Sequence, residues 1–63
     1  MENPIYELYG NLEKIITSSI VDATKFASGN NSAGTRVRKA MQEVKHIAQN
    51  VRKEVQDQKN RGI

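Results

Sequence analysis

A single break, Ser28-Gly29-Asn30-Asn31, splits this 63-residue chain into two stretches that each repeat apolar residues three and four positions apart. That spacing lays an apolar stripe along one side of a helix. Glycine takes the left-handed conformation that commonly ends a helix, and Asn31 or Ser32 can cap the next one. A connection this short folds two helices back on each other as an antiparallel hairpin. The expected architecture is therefore all-α. It is a single domain over residues 1–63, with helix one at about 4–27, the turn at 28–31 and helix two at about 32–60.

The first helix opens on Asn3-Pro4. Asparagine suits the cap, and proline suits the first helical position because its missing N–H would be unpaired there. Glu2 and Glu7 favour the positive end of the helix dipole. Ile5, Leu8, Tyr9, Leu12, Ile15, Ile16, Ile20, Ala23, Phe26 and Ala27 then form a wide apolar stripe. Gly10 costs about 1 kcal/mol relative to alanine inside a helix, and is expected to permit close approach of a second helix. Thr17, Ser18, Ser19 and Thr24 weaken the central turns. In the second helix the stripe is narrower and nearly heptad: Val37, Ala40, Met41, Val44, Ile47, Ala48, Val51 and Val55. Gly34 is expected to expose backbone N–H groups in its first turn.

Two helices alone cannot bury two such stripes, and a chain of this length builds only a small core. The expected solution is a homodimer, forming a four-helix bundle or short coiled coil. Its core would hold Leu8, Leu12, Ile16, Val37, Met41, Val44, Ile47 and Val51.

Composition excludes several classes. With no cysteine there is no disulfide or thiolate metal site. No apolar run approaches the ~20 residues of a membrane span, and the N-terminus lacks the pattern of a secretory signal. Asn30-Asn31-Ser32 matches a glycosylation sequon only by chance in that setting. His46 is the one histidine and points away from the apolar stripe. No Cys/His/Asp cluster has metal spacing and no glycine-rich phosphate loop is present, so neither an enzyme, a metal nor a cofactor is expected.

Charge is more informative. Residues 1–28 hold two basic and four acidic residues, net −2, and residues 29–63 hold eight and three, net +5. Arg38, Lys45, Arg52 and Lys59 recur every seven residues and so share one flank of the second stripe. Glu43 and Glu54 fall on the other flank, with Arg36 as an exception, and Lys39 and Lys53 broaden the basic side. Such a ridge can neutralise successive phosphates, or it can snorkel over a coiled-coil core and pair across helices. The wheel alone favours neither, and the excess of base over acid tips the reading toward phosphate. The start of helix two, with Asn30, Asn31, Ser32, Gly34 and Thr35, is a second candidate anion site. An ordinary capped turn is the alternative. Tyr6 and Tyr9 are expected in or beside the core rather than as platforms for stacked bases.

These same residues carry a resemblance. Gly29-Asn30, Ala33-Gly34, Arg36-Val37-Arg38 and Arg52-Lys53-Glu54 are similar to the pattern of the bacterial histone-like nucleoid protein family, typified by the chlamydial linker-histone-like protein. The match spans about the second half of the chain. It implies a cytoplasmic, nucleoid-associated protein that binds duplex DNA through the phosphate backbone, largely without regard to sequence, and helps condense it. On that reading Arg36, Arg38, Lys39, Lys45, Arg52 and Lys53 are the DNA-binding residues. The chlamydial protein continues into a Lys/Ala-rich tail, whereas this sequence ends at Ile63, so modest DNA affinity is expected. The competing reading is a helical oligomerisation or protein-interaction module that does not touch nucleic acid.

Overall fold

The computed structural model describes residues 3–62. Among them the chain forms two helices and no strand: α1, Pro4–Ala27, and α2, Asn31–Asn60. Glu2, expected to favour the start of the first helix, lies outside the described residues.

Each helix begins as its sequence dictates. Asn3 caps α1, its carboxamide oxygen accepting from the Ile5 N–H at 3.0 Å, with Pro4 in the first turn. The turn is shorter by one residue than the spacing predicts. Gly29 has φ +106°; its N–H donates to the Phe26 carbonyl at 2.9 Å and the Asn30 N–H donates to the Lys25 carbonyl at 3.0 Å. These two bonds make a Schellman end for α1. Asn30 closes that motif with its backbone and caps α2 with its side chain, which accepts from the Ala33 N–H at 3.2 Å. Cap and closure share one residue, so the role expected of Asn31 or Ser32 falls to Asn30.

No neighbour lies within 4 Å of a Cβ built on Gly29, so its conformation, not its space, demands glycine. Gly29→Val is expected to cost about 1–2 kcal/mol. For a domain of this size that lowers the melting midpoint by about 5–15 °C. A thermal scan that superimposes on the wild type would refute the assignment.

So short a link brings the helices close at once. Ala33 is fully buried against α1, and a Cβ on Gly34 would meet the Phe26 ring at 2.6 Å. Gly34 is thus a packing residue beneath Phe26, not the exposed backbone expected from sequence. Gly10 behaves in the opposite way. Nothing lies within 4 Å of its Cβ position, so α2 makes no close approach there.

From the turn the helices run side by side. Half-buried Ile5, Leu8, Leu12, Ile15, Ser19 and Asp22 of α1 face Ala33, Val37, Ala40, Val44, Ile47, Val51, Glu54 and Gln58 of α2. Both sets alternate three- and four-residue steps, the spacing of a coiled-coil seam. Most of the residues expected in a dimer core therefore lie between the two helices of one chain: Leu8, Leu12, Val37, Val44, Ile47 and Val51. At the open end the seam closes on polar groups. Asn3 Nδ2 donates to Gln58 Oε1 at 2.8 Å and Gln58 Nε2 donates to Asn3 Oδ1 at 2.7 Å. Glu54 Oε2 accepts from the same Gln58 amide at 3.1 Å and pairs with Arg61 at 3.5 Å.

The product is a long, thin hairpin, 49 × 18 × 11 Å. Among the described residues Ala33 is the one buried apolar side chain. Tyr6 and Tyr9, expected in or beside a core, are 69% and 58% exposed.

Candidate nucleic-acid interface

The seam fixes which way every other position of α2 looks. At about 100° per residue, Arg38, Lys45, Arg52 and Lys59 sit roughly 130° round the helix from the seam. Thr35, Gln42, Gln49 and Gln56 sit diametrically opposite the seam, and Lys39, His46, Lys53 and Asn60 flank them on the far side. All these residues are exposed. The outward half of α2 therefore carries six cations, Arg38, Lys39, Lys45, Arg52, Lys53 and Lys59, and no carboxylate.

The acids of α2 are held elsewhere. Glu54 is half-buried in the seam, engaged by Gln58 and Arg61. Glu43 and Asp57 share the side of the hairpin that also carries Arg36 and Asn50; Glu7, Asn50, Lys53, Glu54 and Asp57 line one depression there, and Asp57 borders Arg52 and Lys53 in a second. The acids therefore border the basic arc at Lys53 and lie outside it elsewhere, which leaves the outward rows themselves attractive to a polyanion.

Five of the six cations expected from sequence share this outward arc: Arg38, Lys39, Lys45, Arg52 and Lys53. Arg36 does not. It lies on the carboxylate side and its Nε donates to Asp22 Oδ1 of α1 at 2.9 Å, with its side chain 50% exposed. An exposed pair of this kind contributes about 0–1 kcal/mol, but it turns the guanidinium toward α1. Lys59 extends the basic row by one more heptad.

The neutral row Thr35, Gln42, Gln49, Gln56 was not singled out from sequence, although its seven-residue spacing is readable there. It runs between the two basic rows. Amide and hydroxyl groups in that position can hydrogen-bond phosphate or sugar oxygens without choosing among bases. The Gln56 amide donates to Asn60 Oδ1 at 3.3 Å.

The start of α2 is already occupied by its own cap. Asn30 Oδ1 accepts from the Ser32 hydroxyl at 2.8 Å as well as from the Ala33 N–H. The Asn30 side chain thus fills the cap position of the turn, the arrangement of the plainer of its two sequence readings.

Apolar side chains form a separate surface. In α1, Tyr9, Ile16 and Ala23 follow the seam residues Leu8, Ile15 and Asp22 by one position. In α2, Met41, Ala48 and Val55 follow Ala40, Ile47 and Glu54 by one. One residue past the seam is about 70° from its centre, and equal rotations in antiparallel helices lead to the same broad side of the hairpin. Ile16, Met41 and Val55 are 42%, 41% and 44% exposed. The two dimer-core residues not in the intrachain seam, Ile16 and Met41, therefore lie together on this open face.

Among the described residues no group of three or more His, Cys, Asp or Glu is placed to hold a metal, and no helix is long and apolar enough to cross a membrane.

Comparison with known proteins gives one result. The family model described as histone H1-like protein Hc1 matches residues 6–61, covering nearly all of both helices. No curated protein and no solved structure matches the chain significantly.

Proposed function

The chain belongs to the histone H1-like protein Hc1 family, and from that premise we propose that it is a nucleoid-associated protein binding duplex DNA through the phosphate backbone. The observation that carries this reading is the outward half of α2, with six cations and no carboxylate over its length. Arg38, Lys45, Arg52 and Lys59 meet phosphates along one row, Lys39 and Lys53 along a second. The glutamine row between them supplies neutral hydrogen bonds. Arg36, held by Asp22 at 2.9 Å, is assigned a secondary part, reaching phosphate when it exchanges that partner.

Charge without base-specific geometry gives affinity without sequence preference. The family description is that of a histone-like protein, which accords with binding and packaging rather than catalysis. The described residues act as one hairpin domain that associates with itself through its exposed apolar face, and condensation of DNA follows from many such units on one duplex.

The test is a titration of several duplexes of unrelated sequence at a series of salt concentrations. Dissociation constants are expected to agree within a few-fold among sequences. The plot of log affinity against log salt should have a slope of about −5 to −6 per bound chain, since each of the six phosphate contacts adds about −0.9. A flat plot, or strong preference for one sequence, would replace this reading with a protein-interaction module.

A further inference from the structure

The apolar face and the basic arc have a fixed angular relation, and that relation has a functional consequence. We infer that a second copy of the chain packs on the Tyr9/Ile16/Met41/Val55 face with α1 of one copy over α2 of the other. The two basic arcs then look outward from opposite edges of the assembly, which holds two duplexes side by side. The two-duplex part rests on the phosphate-binding reading above; the packing part does not.

Three observations favour a second copy as the occupant. The first is area. The whole broad side of the hairpin, 49 × 18 Å, has a footprint of about 900 Å², large enough to seat the ~800 Å² per partner of a standard stable interface. The second is spacing. Tyr9, Ile16 and Ala23, like Met41, Ala48 and Val55, repeat every seven residues, so the complement is another heptad helix. Contacts between Phe26 and Gly34, Asp22 and Arg36, and Asn3 and Gln58 set the relative height of the two helices. At that register Ile16 lies level with the gap between Met41 and Ala48, and Tyr9 level with the gap between Ala48 and Val55. A twofold axis parallel to the helices reproduces this register between chains, α1 on the copy's α2.

The third observation is charge, and it selects between the two possible twofold arrangements. An axis across the helices would stack α2 on α2 and set the two rows of Arg38, Lys45, Arg52 and Lys59 beside each other, eight like charges along one edge. The axis along the helices instead sets each row beside Tyr6, Glu13 and Ile20 of the other copy. There Glu13 offers an opposite charge, and the long basic side chains can cover Tyr6 and Ile20 with their stems. The first arrangement would make one doubled DNA-binding edge, the second makes two opposed ones.

The chain has no cysteine, so single reporters are clean. Ile16→Cys and Met41→Cys, both at exposed positions, are prepared separately, checked for helix content, and oxidised alone and as a mixture without DNA. The expected result is a disulfide between the two variants in the mixture, at least fivefold above either variant with itself. Separately, wild-type protein is added to an immobilised duplex and a free labelled duplex. Recovery of the labelled duplex at least tenfold above the protein-free level is expected. Like-with-like disulfides, or none, overturn the packing. Mixed disulfides with normal binding to one duplex but no recovery of the second overturn the two-duplex inference. Mixed disulfides with no binding to any duplex overturn the phosphate reading and support the packing on its own.

Discussion

Replacing Arg38, Lys45, Arg52 and Lys59 together by glutamine is expected to lower duplex affinity by about 4,000-fold at 0.1 M salt. Without these four cations the salt slope falls by about 3.6, which at that concentration is between three and four decades of affinity. The effect should be equal for all sequences, because none of the four is assigned a base. All four side chains are exposed, so helix content should be unchanged. Arg36→Gln supplies the contrast. Its guanidinium is turned to Asp22, so its removal should alter the slope by less than one unit. If the fourfold variant binds as wild type at every salt concentration, the basic row serves structure and the DNA assignment of the arc is lost.

Val44→Asp is expected to unfold the chain. Val44 is half-buried in the seam between α1 and α2, and a carboxylate there finds no cation across the interface. The penalty for burying an unpaired charge and removing the valine side chain is roughly 3 kcal/mol or more. A chain this size has only about 3–9 kcal/mol of stability to lose. Most of the helical circular-dichroism signal should therefore vanish at 25 °C. Gln42→Asp adds the same charge on the outward side and should keep the signal. A Val44→Asp protein that melts within a few degrees of wild type would show that the two helices are not held by this seam.

The hairpin was legible because its determinants are local. Helical spacing on either side of Ser28-Gly29-Asn30-Asn31, a glycine able to hold φ +106° and an Asn-Pro start are all short-range signals. The wide stripe of α1 was less legible. It contains two interleaved sets with the same three- and four-residue steps, and spacing cannot say which set faces α2 of the same chain. The structure gives that place to Ile5, Leu8, Leu12 and Ile15 and leaves Tyr9, Ile16 and Ile20 outside. Gly34 and Gly10 exchanged expectations for a similar reason. A glycine's neighbours are tertiary facts, and the Phe26 ring over Gly34 arrives from another helix. For the basic arc, the seven-residue row was readable and the spacing already set Arg36 on the acidic flank, but not the partner that holds it, because the Asp22 carboxylate is fourteen residues earlier in the chain.

The reciprocal amide pair at the open end also bears on how the chain comes together in time. Asn3 and Gln58 are 55 residues apart, whereas Phe26 and Gly34 meet across a few residues of turn. Loop closure is least costly at the turn, and each seam contact made there shortens the loop left to close. The helices therefore zip from Gly29 outward, a low-contact-order route that is fast even for a weak core. The Asn3–Gln58 pair is the last contact in and the first out. Breathing of the hairpin accordingly starts at the far end of the basic arc, around Arg52, Lys53 and Lys59, while the Phe26–Gly34 end stays shut.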